Sequence, residues 1–137
     1  MIYVAFRDSD DPRFVHRFLT PGFGHVLVLL PQGDSHAVKM ESSYWGVFPE
    51  VYAESAETLA RRCAEAGMAV LQFDHAPDIS RAWRPRVLTC VSLAESVLGV
   101  WWPTVLTPRA LYLRLLRQGA EPLTGKPPCP TERPAET

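Results

Sequence analysis

The order of secondary-structure signals predicts an α+β fold, an antiparallel sheet packed against helices. Two observations carry this. A hairpin pattern lies at residues 25–42, and apolar residues recur at helical spacing in three later segments. The resulting order is strand, hairpin, helix, strand, helix, helix, the segregated arrangement expected of an α+β domain.

Each element has a local reason. Met1–Arg7 (MIYVAFR) reads as a short strand, and Asp8–Arg13 (DSDDPR) as a turn whose side chains bond back to their own backbone. Strands are expected at about 25–30 and 36–42, joined by a turn at Gly33-Asp34. Val26–Leu30 is a continuous apolar run, so that strand should be covered on both faces. Trp45–Tyr52 suggests a third strand, broken by Pro49. Ser55 opens a helix whose Ala56, Leu59, Ala60, Cys63 and Ala66 share one stripe, and Gly67 stops it. Cys63 on that stripe is read as packing. Met68–Phe73 (MAVLQF) is a strand. Thr89 caps a helix carrying Cys90, Leu93, Ala94, Val97 and Leu98 on one face, ended by Gly99. Thr107, followed by Pro108, caps the last helix, with its Leu111 and Leu115 stripe.

Composition bounds the function. The 137 residues are 47% apolar and 21% charged, enough for one core and not the make-up of a disordered chain. One domain is expected over 1–118, followed by a Pro-rich, disordered tail over 119–137. With 14 basic against 15 acidic residues the net charge is −1, which gives no basic footprint for nucleic acid. The groups Arg81, Arg84, Arg86 and Arg109, Arg114, Arg117 are read as solvated faces. No apolar run reaches the ~18 residues of a membrane span, and the start lacks the pattern of a secretory signal. Three cysteines, Cys63, Cys90 and Cys129, make neither a disulfide framework nor a zinc site, so a reducing, cytoplasmic origin is expected. Neither a metal nor an organic cofactor is expected, and His16 and His75 lack ligand spacing.

Two positions could carry chemistry. Cys90 stands at the first turn of a helix, where backbone N–H groups favour a thiolate and an oxyanion. His25 opens the buried strand and could serve as its base. A base of this kind needs a third group to hold its ring. With the turn at Gly33-Asp34, His25 faces about Ser42, flanked by Glu41. Glu41 is preferred for its charge, with Ser42 and His36 as alternatives. Core packing is the plain alternative for Cys90, strand capping for His25 and a surface carboxylate for Glu41. Trp101-Trp102 reads as helix packing.

Three blocks, PGFGHVLVLL at 21–30, TCVSLAESVLGV at 89–100 and VLTPRALYLRLL at 105–116, resemble small phage and prophage proteins of the permuted NlpC/P60 type. That is a circularly permuted branch of the papain-like cysteine peptidases. The resemblance spans about 20–118. It implies a papain-like core with Cys90 as nucleophile, His25 as general base and a polar residue of the next strand orienting the ring. It further implies cleavage of an amide or peptide bond, with peptidoglycan as the expected substrate and a virion as the route to it. The alternative is a non-catalytic structural or assembly protein of a phage particle, with other virion proteins as partners.

Overall fold

A computed structural model describes residues 1–8, 21–43, 46–74 and 89–123. The turn over 9–13, His16, Trp45, His75, the arginines at 81, 84 and 86, and Cys129 lie outside the described residues. Among the described residues nine elements follow in order: β1 Ile2–Arg7, β2 His25–Gln32, β3 His36–Ser43, β4 Gly46–Tyr52, α1 Ala56–Glu65, β5 Ala69–Phe73, α2 Cys90–Leu98, α3 Pro108–Arg117 and β6 Glu121–Pro122. The fold is α+β. All six strands belong to one antiparallel sheet, in the order β4-β3-β2-β1-β5-β6.

Helices cover both faces of this sheet, and strand alternation sorts the side chains between them. On one face Ile2, Val4, Phe6, Val26, Val28 and Leu71 pack with Val91, Ala94 and Leu98 of α2 and Leu111, Tyr112 and Leu115 of α3. On the other, Tyr3, Ala5, Leu27, Leu29, Ala37 and Val70 pack with Ala56, Leu59 and Ala60 of α1. The continuous apolar run of β2 therefore has the double cover expected of it. Under α3 the rings of Phe6, Phe23 and Tyr112 stand 5.1–5.7 Å apart in tilted and edge-on pairs, an arrangement that suits the ring quadrupoles.

The caps sit where the sequence puts them. Ser55 accepts from the Thr58 amide at 3.1 Å, and Thr107 from the Ala110 amide at 3.2 Å. At α2 the bond is reciprocal: Ser92 N–H donates to Thr89 Oγ1 at 3.0 Å, and Thr89 N–H to Ser92 Oγ at 2.8 Å. Such a box satisfies two otherwise orphaned amides and fixes the helix start at Cys90. Gly99 ends α2 in the left-handed region, φ +69°, where a side chain would be strained.

Three expectations need correction. Pro49 does not break β4, which runs unbroken over Gly46–Tyr52 because it is an edge strand, where a missing N–H costs least. The hairpin loop is not a two-residue turn. Gln32 pairs with His36, leaving Gly33, Asp34 and Ser35 as the loop, with Gly33 at φ +65°. The register moves by one residue as a result, so that Leu27 faces Glu41. Finally, the segment expected as tail begins with structure. Glu121 and Pro122 pair with β5, Ala120 is buried, and Leu123 packs under α1. Residues 124–137 lie outside the described residues.

Candidate functional site

His25 is the first residue of β2, at the rim of the sheet, and its cross-strand neighbour is Arg7, the last residue of β1. Alternation gives His25, Leu27 and Leu29 the same face, the one that α1 covers. Arg7 follows Ala5 onto that face, and Glu41, opposite Leu27, joins them. Three side chains from three adjacent strands thus converge. His25 Nε2 lies 3.0 Å from Glu41 Oε1, and Arg7 Nη2 donates to the same oxygen at 2.6 Å. Lys39 Nζ reaches Glu41 Oε2 at 3.2 Å and Glu50 Oε2 at 2.8 Å. The group is well covered, with the His25 and Glu41 side chains only 15% and 19% exposed.

Charge follows from this packing. Burial by itself would raise Glu41, but hydrogen bonds and charge from Arg7 and Lys39 outweigh it and hold the carboxyl below its ordinary range. Lys39 is held above the usual lysine range: burial opposes its charge, and Glu50 and Glu41 overcome that. The carboxylate is therefore fixed in its ionised form beside the ring.

Of the three polar residues considered as partners for the ring, Glu41 is the one brought to it. His36 pairs with Gln32 at the far end of the hairpin, where its Nδ1 and Ser35 Oγ are 2.9 Å apart. Ser42 is buried and alternates with Met40 onto the α2 side. The diagonal step from His25 to Glu41, rather than a directly opposed pair, follows from the one-residue register change.

Cys90 occupies the first position of α2, as expected, and packs at the margin of the α2–α3 core. Burial is the dominant influence on its thiol and raises it above the ordinary cysteine value. The backbone N–H groups of Val26, Val91 and Cys90 itself pull the other way without prevailing. The resting group is thus a neutral thiol. Its sulfur meets the Val26 amide, one peptide unit from His25. That amide lies just beyond the last β2–β3 pair, Leu27 with Glu41, at the rim of the sheet. The sulfur and the ring nevertheless lie on opposite faces of the sheet: Cys90 packs on the α2 side, and the His25 side chain leaves β2 on the α1 side.

Arg7 and Lys39 were missed by sequence reasoning. The only local signal was the place of Arg7 after an apolar strand on the phase of Tyr3 and Ala5. Cys63 lies on the same face as these cations, half-buried in α1. Its thiol is raised chiefly by burial, against the pull of Arg62, Lys39 and Arg7. Among the described residues no group of three or more His, Cys, Asp and Glu side chains could hold a metal ion, and no helix is long and apolar enough to cross a membrane. No family model matches this chain, and neither a curated protein nor a solved structure matches it.

Proposed function

We propose that the chain is a cysteine hydrolase that cleaves an amide or peptide bond, with Cys90 as nucleophile, His25 as base and Glu41 as the group that orients the ring. The observation that carries this reading is the covered His25–Glu41 pair, 3.0 Å apart, with the sulfur of a cysteine at a helix N-terminus against the amide of Val26, the residue after His25. With Nε2 on the carboxylate, Nδ1 is the nitrogen for the thiol proton. The ring starts on the α1 side, so transfer requires it to swing round the first residue of β2 to the rim, where the sulfur lies.

The chemistry then balances without a cofactor. His25 takes the Cys90 proton, and sulfur attacks the carbonyl carbon. The backbone N–H groups around the sulfur stabilise the developing oxyanion. His25 returns its proton to the leaving amine, and water releases the acyl group from sulfur. The resemblance to permuted papain-like proteins supplies the substrate class, the peptide stem of peptidoglycan, and a phage particle as the setting.

The test is hydrolysis of purified peptidoglycan stem peptides and a panel of amide substrates by the wild-type protein and Cys90→Ala. Turnover by wild type and its loss in a folded Cys90→Ala protein are expected. Turnover that survives in Cys90→Ala, or its absence in wild type across the panel, overturns the proposal.

A second reading is favoured by one observation: the His25 ring and the partly buried, neutral Cys90 thiol start from opposite faces of the sheet. On that reading the domain is a non-catalytic assembly module that binds other virion proteins. It predicts that alkylation of Cys90 at neutral pH is no faster than that of half-buried Cys63.

A further inference from the structure

The Trp101-Trp102 pair and the arginines of α3 take no part in the candidate site, and the fold brings them together. From Ser96 to Ala120 the chain carries three arginines, Arg109, Arg114 and Arg117, and no acidic residue, although its net charge is −1. The loop from α2 into α3 is pinned. Val105 is buried and its amide donates to the Trp102 carbonyl at 2.9 Å, while the Arg114 guanidinium stands 5.2 Å from the centre of the Trp102 ring. That turn leaves Trp101 half-exposed and Leu106 78% exposed. On α3 the buried side is Leu111, Tyr112 and Leu115, and spacing by four puts Arg109, Leu113 and Arg117 together on the outer side.

We propose that the outer side of α3, with Trp101 and Leu106 of the loop that leads into it, docks onto the surface of an anionic lipid bilayer without crossing it. Helix electrostatics account for two of the three arginines. Arg114 and Arg117 stand in the last turn, where cations suit the dipole. Arg109 is the second residue of α3, at the positive end, and the first turn has no acidic residue. A cation there is disfavoured in the free protein, and a lipid phosphate against Arg109 offsets that cost. The apolar members fit the same surface. Leu106 and Leu113 are aliphatic side chains held in water among these cations, and Trp101 is of the residue type that settles between headgroups and acyl chains. Two copies pairing through this face would set arginine against arginine with no acid between them, which opposes a symmetric dimer. Neither His25 nor Cys90 takes part, so the docking stands apart from the hydrolase reading.

The experiment is co-sedimentation of the full-length protein with vesicles of phosphatidylcholine alone and of phosphatidylcholine mixed with phosphatidylglycerol, at low and high salt. Binding to the anionic vesicles only, weakened by salt, is expected. Each arginine near such a surface contributes about fivefold to partitioning, so the double variant Arg109→Gln, Arg117→Gln should bind roughly 25-fold more weakly. Arg114 is left in place because it packs on Trp102. Leu106→Ala shortens the inserted side chain and should cost about fivefold or more. These substitutions change exposed side chains, so the melting temperature should stay close to that of wild type. A failure to bind anionic vesicles, or equal binding to both kinds, overturns the proposal. Undiminished binding by the double variant overturns it by placing the contact elsewhere on the chain. Undiminished binding by Leu106→Ala overturns it by marking a site for any anion, an acidic protein included. Self-association that Leu106→Ala abolishes, without vesicle binding, overturns it in favour of a second copy.

Discussion

Thr89→Ala tests the link between local structure and the candidate nucleophile. The substitution removes the Oγ1 that accepts from Ser92 N–H at 3.0 Å, leaving the return bond from Thr89 N–H to Ser92 Oγ at 2.8 Å. Losing a threonine cap costs about 1 kcal/mol, within a range of roughly 0.5–2. Unfolding entropy near the melting point is ~2.1 cal/mol/K per residue, so for a chain of 137 residues that cost lowers Tm by about 3–4 °C. The second consequence is chemical. Cys90 is the residue that the cap starts, and burial is what raises its thiol, so fraying of the first turn uncovers the sulfur. Differential scanning calorimetry, with mass-spectrometric alkylation of Cys90, should show a small Tm loss and faster labelling. A Tm loss with unchanged labelling would refute the argument that the cap keeps the thiol covered. No Tm loss would refute the capping box.

Three further outcomes follow from the packing and charges. Leu71 is fully buried where β5 meets the α2–α3 face, so Leu71→Ala should cost about 2–5 kcal/mol in urea unfolding, and a loss under about 1 would place it outside the core. Gly99→Ala forces a side chain into φ +69° and should cost about 1–2 kcal/mol, visible as a lower denaturation midpoint. Glu41 is held below its unfolded value, so its contribution is complete above ~4.3 and fades as pH falls through the folded value. Wild type should therefore exceed Glu41→Gln in stability near neutral pH and converge with it in acid, whereas a constant difference across pH would contradict the ion-pair geometry.

The features read correctly from the sequence are those whose causes are local. Ser55, Thr89 and Thr107 are capping residues by chemistry and cap the three helices, and the Val26–Leu30 run announces a strand covered twice. What escaped depends on partners far along the chain. The register hung on one residue of loop length at Gly33–Ser35, and that residue decides whether Glu41 or Ser42 shares the face of His25. Pro49 looked like a break only because nothing local says that β4 lies at the edge of the sheet. The place of Arg7 beside His25 requires β1 to lie between β2 and β5, which no spacing in the sequence encodes. The face of the sheet on which Cys90 comes to rest is equally non-local, since it depends on how α2 packs after a long connection.

The central claim is that His25 draws the proton from a thiol that burial otherwise keeps neutral. The most direct measurement is the rate of Cys90 alkylation against pH in wild type and His25→Ala, with each cysteine resolved by peptide mapping. The account predicts a limb near neutral pH in wild type that disappears in His25→Ala, leaving Cys90 about tenfold slower there, the equivalent of one unit in thiol acidity. Superimposable profiles, each rising once in the elevated range of a buried thiol, would contradict it.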